Sequence, residues 1–235
     1  MSHTVHPYAH RLGIIRDWRS RWFGVNAQYR EYLKEDMLLR EWLEKKLRGS
    51  YVSDIEMERS AKALRIVLKT SRPGMIIGRS GEGAAKLRAD IEKYLEKISA
   101  NSAKIPGSLK KGAQEKKQEL KLDIEEVKNP EASSAIVAQM VAEGLEKRMP
   151  FRRVMKQMVE KSMASREVQG IKILLSGRLG GADMSRKEEL KKGRIPLQTL
   201  RADIDFKRYE AHLPYGNIGI KVWIYKGEIF EKDLK

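Results

Sequence analysis

Cysteine is absent from the sequence, which excludes disulfides, thiol catalysis and cysteine-based zinc or iron–sulfur sites. A run of about 18 apolar residues, the length that a membrane-spanning helix needs, is absent as well. Residues Met1 to Pro7 lack the apolar stretch of a signal peptide. The basic residues are spread along the whole chain rather than gathered in one membrane-anchoring tail. We therefore expect a cytosolic protein without a membrane partner.

Acidic residues are too few to balance the basic ones. The chain has 48 Lys+Arg against 32 Asp+Glu, which leaves a net charge of +16 over 235 residues. A surface with this excess repels itself unless a polyanion neutralises it, so nucleic acid is the expected partner. The hydrophobic fraction of 41% suffices for one large domain or for two domains with separate cores.

The apolar pattern of the first half predicts an α/β domain over residues 26–128. The first predicted element is a helix over 26–49, capped by Asn26, with one apolar stripe formed by Tyr29, Leu33, Leu39, Leu43 and Leu47. A hairpin follows, with strands around Ile55–Met57 and Leu64–Leu68. After it come a glycine-rich turn, a helix over 82–98 and a strand over Leu120–Ile124. Residues 99–119 have almost nothing to bury and are expected to form an inserted surface segment.

The remaining residues indicate two further parts. Residues 1–25 are basic and aromatic without a steady period, and we interpret them as an arm that contacts RNA. Residues 129–235 predict a second α/β domain, with a mixed or antiparallel sheet. Its helices, over 131–148 and 151–165, are separated by Pro150, which cannot lie inside a helix without the loss of a hydrogen bond.

A glycine-rich loop lies between the hairpin and the second helix. A Walker A loop would need Lys after its last glycine, but Gly81 is followed by Glu82. The dinucleotide fingerprint fails too, because Lys86 occupies the place of its third glycine. A GxxG loop remains, formed by Gly78, Arg79, Ser80 and Gly81. KH domains use such a loop to clamp single-stranded nucleic acid, although a structural turn is the alternative for a bare GxxG.

The order of elements favours the RNA-binding interpretation of this loop. A helix, a hairpin, GxxG, a second helix and a third strand follow one another as in a type II KH fold. The expected fold class is therefore α/β (α+β), with an N-terminal type II KH domain followed by the second α/β domain.

Several stretches resemble the family of bacterial small-subunit ribosomal protein three. The matching stretches are Val5-His6-Pro7, Arg11 to Ile14, Arg72-Pro73-Gly74, Ile77 to Glu82, Phe151 to Lys156, Gly170 to Lys172, Ser176 to Ala182, Arg194 to Leu197, Thr199 to Asp205 and Tyr215 to Ile224. They occur in order over almost the whole chain. Two departures are the 99–119 segment and an end soon after Ile229.

The resemblance implies a structural, non-enzymatic role in the ribosome. It implies binding of small-subunit rRNA in the head and contact with small-subunit proteins ten and fourteen. It also implies a place beside the path along which mRNA enters. There, the resemblance implies, Arg152, Arg153 and Lys156 help to unwind the message without ATP. No cofactor is implied. The matching stretches and the basic arm supply the candidate rRNA contacts, which are His6, Arg11, Arg16, Arg178 and Arg201.

The residues of 151–158 support part of this expectation by themselves. At 100° per residue, Arg152, Arg153 and Lys156 fall on one helix face, and the apolar residues fall opposite. A solvated basic face, common in basic proteins, is the alternative.

A free enzyme that carries a KH module, such as a helicase or nuclease, is the second hypothesis. The missing Walker A loop and the absence of clustered metal ligands count against it. His3, His6 and His10 are not expected to bind a metal, because no nearby carboxylate joins them.

Overall fold

The computed structural model describes residues 5–25, 27–60, 63–103 and 119–230. The chain forms two compact units. The first unit lies within residues 19–127, and the second consists of the N-terminal residues up to Trp18 and the residues from Lys128 onwards. Within the described ranges, no helix is long and apolar enough to cross a membrane.

A mixed four-stranded sheet forms the centre of the first unit. Its strands are β1 (Ser20–Arg21), β2 (Val52–Arg59), β3 (Ala63–Thr70) and β4 (Glu119–Glu126), in spatial order 1-2-3-4. Strands β2 and β3 are antiparallel, with Met57 opposite Ile66, whereas β4 runs parallel to β3, with Ile124 beside Leu68. The fold class expected from the pattern, a mixed α/β arrangement of KH type, is confirmed for this unit.

The helices α2 (Ala27–Lys46) and α4 (Glu82–Ala103) contribute side chains to one core with this sheet. Leu39, Leu43 and Leu47 of α2 and the segment after it are buried as predicted. Tyr29 and Leu33 are exposed instead, so the predicted stripe is wrong at its N-terminal end. The cap expected at Asn26 lies outside the described residues.

A buried ion pair explains why α2 turns another face inward at that end. Asp36 is 2% exposed, and its Oδ1 accepts a hydrogen bond of 2.6 Å from Arg59 Nη2. Its Oδ2 accepts a second bond of 2.7 Å from Trp22 Nε1. A buried carboxylate needs such partners, because burial without them costs several kcal/mol, roughly the penalty for an uncompensated charge.

Helix α4 is longer than the sequence pattern indicated. Its last turn includes Ser99 to Ala103, and Glu119 already pairs with Ala63 at the start of β4. The boundaries predicted for the inserted segment, 99–119, are therefore corrected at both ends. Alanine and the preceding buried Ile98 favour continuation of the helix, despite the few apolar residues that follow. Residues 104–118 lie outside the described part.

An antiparallel four-stranded sheet forms the second unit. Its strands are β5 (Gly170–Gly177), β6 (Arg186–Gly193), β7 (Ala202–Leu213) and β8 (Gly216–Glu228), in spatial order β6-β5-β8-β7. Strand β6 was not predicted, because its sequence is charged and offers little apolar alternation. It pairs with β5 along its full length at one edge of the sheet.

Two helices, α5 (Ser134–Glu146) and α6 (Phe151–Ala164), pack on one face of this sheet. The core between them contains the alternating residues Ile171, Ile173 and Leu175 of β5 and their neighbours on β8. The backbone N–H of Ser134 donates a 2.7 Å hydrogen bond to Asp205 Oδ2 on β7. This carboxylate holds the N-terminal end of α5 against the sheet, where a negative charge is favoured.

Residues 5–18 are part of the second unit rather than a separate arm. They include the helix α1 (Pro7–His10). In the first unit, a short helix α3 (Pro73–Ile77) precedes α4. Arg11 is 0% exposed, and its Nη1 and Nη2 donate 2.9 Å bonds to the carbonyl oxygens of Pro7, Leu197 and Thr199. Burial lowers the pKa of Arg11, and the neighbouring Asp203 partly opposes this effect. The arm predicted over 1–25 is therefore corrected for residues 5–18, because the buried Arg11 binds them to the loop before β7.

We expect Arg11→Ala to lower the free energy of unfolding by about 3 kcal/mol, since three carbonyl oxygens lose a charged donor that is itself buried. Arg166→Ala is the matched control, because Arg166 is exposed and its loss should change stability by less than about 0.5 kcal/mol. Urea denaturation of both variants measures the difference. Equal stability of the two would contradict the assigned role of Arg11.

Candidate nucleic-acid interface

The apolar and the basic side chains of α6 lie on opposite sides of the helix, as its local sequence predicts. Val154, Met155 and Val159 are buried in the core of the second unit, and Phe151 and Met158 pack against it. Arg152, Arg153 and Lys156 lie on the exposed side. We call these three residues the α6 basic face. The packing predicted from the helical period is thus observed, and it fixes which way the cations project.

The members of the α6 basic face differ in their partners. Arg152 forms a long ion pair with Glu188 of β6, with Nε 3.4 Å from Oε2. In the described part of the chain, Arg153 and Lys156 have no hydrogen-bond or ion-pair partner. All three remain well exposed, and Arg152 keeps 76% of its side-chain surface in solvent. The face can therefore contact an anionic ligand without first breaking a strong internal ion pair.

The turn after β5 carries a further arginine of the second unit. Residues Leu179–Gly181 form a single helical turn, and Gly180 there has a φ of 71°. Arg178 Nε donates a 2.9 Å bond to Ala182 O, and Nη2 pairs with Asp183 at 3.0 Å. These bonds hold the turn closed. Arg178 is one of the candidate rRNA contacts, and its side chain stays 40% exposed beside these bonds.

The GxxG loop of the first unit has the exposure that a ligand contact requires. Gly78 ends α3 and is followed by a single turn over Arg79–Gly81 that leads into α4. Gly78, Arg79 and Ser80 are exposed, and Arg79 has no partner among the described residues. The φ values of Gly78 (71°) and Gly81 (82°) lie in the left-handed region, so other residues would be strained there.

A glycine outside the GxxG motif also shapes this loop. A Cβ on Gly83 would lie 2.5 Å from Ile76 O and 2.9 Å from Ile77 O. Only glycine lets the first turn of α4 approach α3 so closely. The sequence showed Gly83 only as part of a failed dinucleotide pattern, and no local signal distinguishes a close-approach glycine from others.

The remaining candidate rRNA contacts do not all reach the surface. The candidate contact at Arg11 is wrong, because the side chain is fully buried. Arg16 pairs with Asp203, and Arg201 pairs with Glu228 at 2.6 Å. His6 accepts a bond from Ala9 N and packs edge-on against Phe206. His6, Arg16 and Arg201 are at least partly exposed beside these partners.

Metal chemistry finds no support in the described ranges. They contain no group of three or more His, Cys, Asp or Glu side chains that could hold a metal ion. His3, one of the terminal histidines, lies outside them.

Two protein families match the chain, each mainly within one unit. The family described as "KH domain" matches residues 38–132, and the family described as "Ribosomal protein S3, C-terminal domain" matches residues 141–224. These ranges contain the GxxG loop and the α6 basic face, respectively.

Curated relatives match nearly the whole chain. Small ribosomal subunit protein uS3 of Caldicellulosiruptor saccharolyticus is 45% identical over 229 residues, which cover 97% of this chain and 94% of the relative. Proteins of the same name from Pseudomonas putida and Pseudomonas aeruginosa are 44% and 43% identical over 238 residues, covering all of this chain and 95% of each relative. From this full-length similarity, the chain belongs to the family of small ribosomal subunit protein uS3.

Proposed function

We propose that the chain is a structural, non-enzymatic constituent of the small ribosomal subunit in the cytoplasm, that it binds rRNA in the head, and that it lines the path along which mRNA enters. Family membership supports the ribosomal role, and relatives of this name are structural components. The net charge of +16 supports a polyanionic partner. Small-subunit proteins ten and fourteen are the proposed protein neighbours.

The α6 basic face is the observation that carries the mRNA part of the proposal. Three exposed cations, of which Arg153 and Lys156 have no internal partner among the described residues, project from a helix whose opposite side is fixed in a core. Contacts of this kind to phosphates do not depend on base identity, which suits a path that every message must follow. Because the α6 basic face would bind the single-stranded form of the message, it would favour the opening of an mRNA hairpin without ATP.

The loop Gly78, Arg79, Ser80 and Gly81 is the proposed second contact to single-stranded RNA. Its glycines allow a sugar-phosphate backbone to approach closely, and Arg79 supplies an exposed positive charge. His6, Arg16, Arg178 and Arg201 are proposed as rRNA contacts, because their side chains remain at least partly exposed and positively charged or polar.

Replacement of Arg152, Arg153 and Lys156 by Ala should leave assembly intact and slow translation through a stable mRNA hairpin. Each lost phosphate contact lowers the salt dependence of single-strand binding by roughly 0.7 units. The measurement is the ratio of translation times for a hairpin message and an unstructured one.

The matched control for this triple variant removes three exposed lysines of α4, with Lys86, Lys93 and Lys97 changed to Ala. Both variants lower the net charge by the same amount, so a general charge effect would slow both equally. Equal slowing, or no slowing in either, would contradict the proposed role of the α6 basic face.

Aspartate at Gly78 and Gly81 should abolish crosslinking of the loop to RNA in assembled subunits. Because both glycines have positive φ values, any side chain adds strain there, so charge must be separated from strain. Gly78→Asn with Gly81→Asn is the control, since asparagine has nearly the same size and conformational preference without the charge. If the aspartate and asparagine variants crosslink equally, a loop that clamps phosphates is ruled out.

A further inference from the structure

The α6 basic face is flanked by a charged cluster that joins α6 to the edge strand β6. Arg152 and Arg186 converge on the ring of Phe151, with their guanidinium carbons 5.7 Å and 5.6 Å from the ring centroid. Both also converge on one carboxylate. Arg152 Nε lies 3.4 Å from Glu188 Oε2, and Arg186 Nε lies 3.1 Å from Glu188 Oε1.

The depth of these side chains gives the cluster an inner and an outer side. Glu188 is 24% exposed, whereas the side chains of Arg186 and Arg152 are 48% and 76% exposed. Phe151 is partly buried and packs against the core of the second unit. The ring and the carboxylate are therefore the more buried members of the cluster, and the two guanidinium groups are the more exposed ones.

Most donors of the two arginines remain available. An arginine has five N–H donors in a planar fork that matches a phosphate. Arg152 donates from Nε and Nη2 to Glu188, whereas Nε of Arg186 forms only an ion pair with it. Both Nη groups of Arg186 and Nη1 of Arg152 have no acceptor in the part of the chain that the structure describes. The two guanidinium groups carry the same charge and repel each other, and the Glu188 carboxylate that both contact offsets this repulsion.

We propose that Arg152 and Arg186 form a two-arginine clamp for a phosphate of single-stranded RNA, and that Glu188 is a positioning residue that keeps the two forks converged on Phe151. The clamp adds a cation from β6 to the α6 basic face. It rests on the proposed function, because the RNA it would hold is the incoming mRNA. Sequence reasoning missed Arg186 because β6 itself was not predicted.

The test uses ribosomes assembled with variant chains and the ratio of translation times for hairpin and unstructured messages. Arg186→Ala should raise this ratio roughly two- to fivefold, the factor that one exposed charge contact supplies. Arg166→Ala is the control, because it removes the same charge from an exposed site without ring or carboxylate contacts in the described chain. Its ratio should equal that of the unchanged protein.

Coupling between residues tests the clamp itself. If both arginines hold one phosphate, Arg152→Ala with Arg186→Ala should raise the ratio by less than the product of the single effects. As the only substitution, Glu188→Gln should raise the ratio. In a chain where Arg152 and Arg186 are already Ala, the same substitution should leave the ratio unchanged. A structural role of Glu188 alone would change both backgrounds equally and would overturn its assignment as a positioning residue.

Two failures are distinguishable. If Arg153→Ala slows hairpin translation but Arg186→Ala behaves like Arg166→Ala, the clamp is wrong and the proposed function stands. If Arg153→Ala, Arg152→Ala and Arg186→Ala all behave like Arg166→Ala, the mRNA part of the proposed function itself fails. Sedimentation of each variant with the small subunit confirms that the ratios are compared between assembled particles.

Discussion

The burial of one side of α6 against the antiparallel sheet is the constraint on which the proposed RNA surface depends. Val154, Met155 and Val159 are almost fully buried, and each contributes roughly 2 kcal/mol by removal from water. Because a helix is rigid, this packing also fixes where Arg152, Arg153 and Lys156 project. The basic residues contribute little to stability where they are exposed and unpaired. They are free to serve an external anion, while the apolar side holds them in place.

Charge is used differently elsewhere in the protein. In the first unit, Arg59 and Asp36 form a pair in which both side chains are only 3% exposed. In the second unit, the buried Arg11 donates to backbone carbonyl oxygens instead of a ligand. These cations have fixed internal partners, whereas those of the α6 basic face have weak ones or none within the described residues. The net positive charge is therefore less informative than the location of its unpaired part.

Much of the fold followed from periodicity, and the failures have physical causes. Strands with clean apolar alternation, such as β3, were predicted, but β6 is a charged edge strand held by backbone pairing to β5. The buried position of Asp36 depends on Arg59, a partner distant in sequence, so the local stripe misplaced Tyr29 and Leu33. Arg11 looked like an RNA contact because sequence shows its charge but not the carbonyl oxygens that surround it. The α6 basic face was predictable because the pattern that defines it lies within residues 151–158 of one helix.

The most direct test of the central claim locates the α6 basic face relative to mRNA in a translating ribosome. A photo-crosslinking phenylalanine derivative placed at Gln157, an exposed neighbour of Lys156 on α6, reports what lies beside that face. The same group at Lys97 of α4 is the reference position. The account predicts crosslinks from position 157 to mRNA nucleotides on the 3′ side of the decoding site. Crosslinks from position 157 to rRNA or protein alone would contradict it.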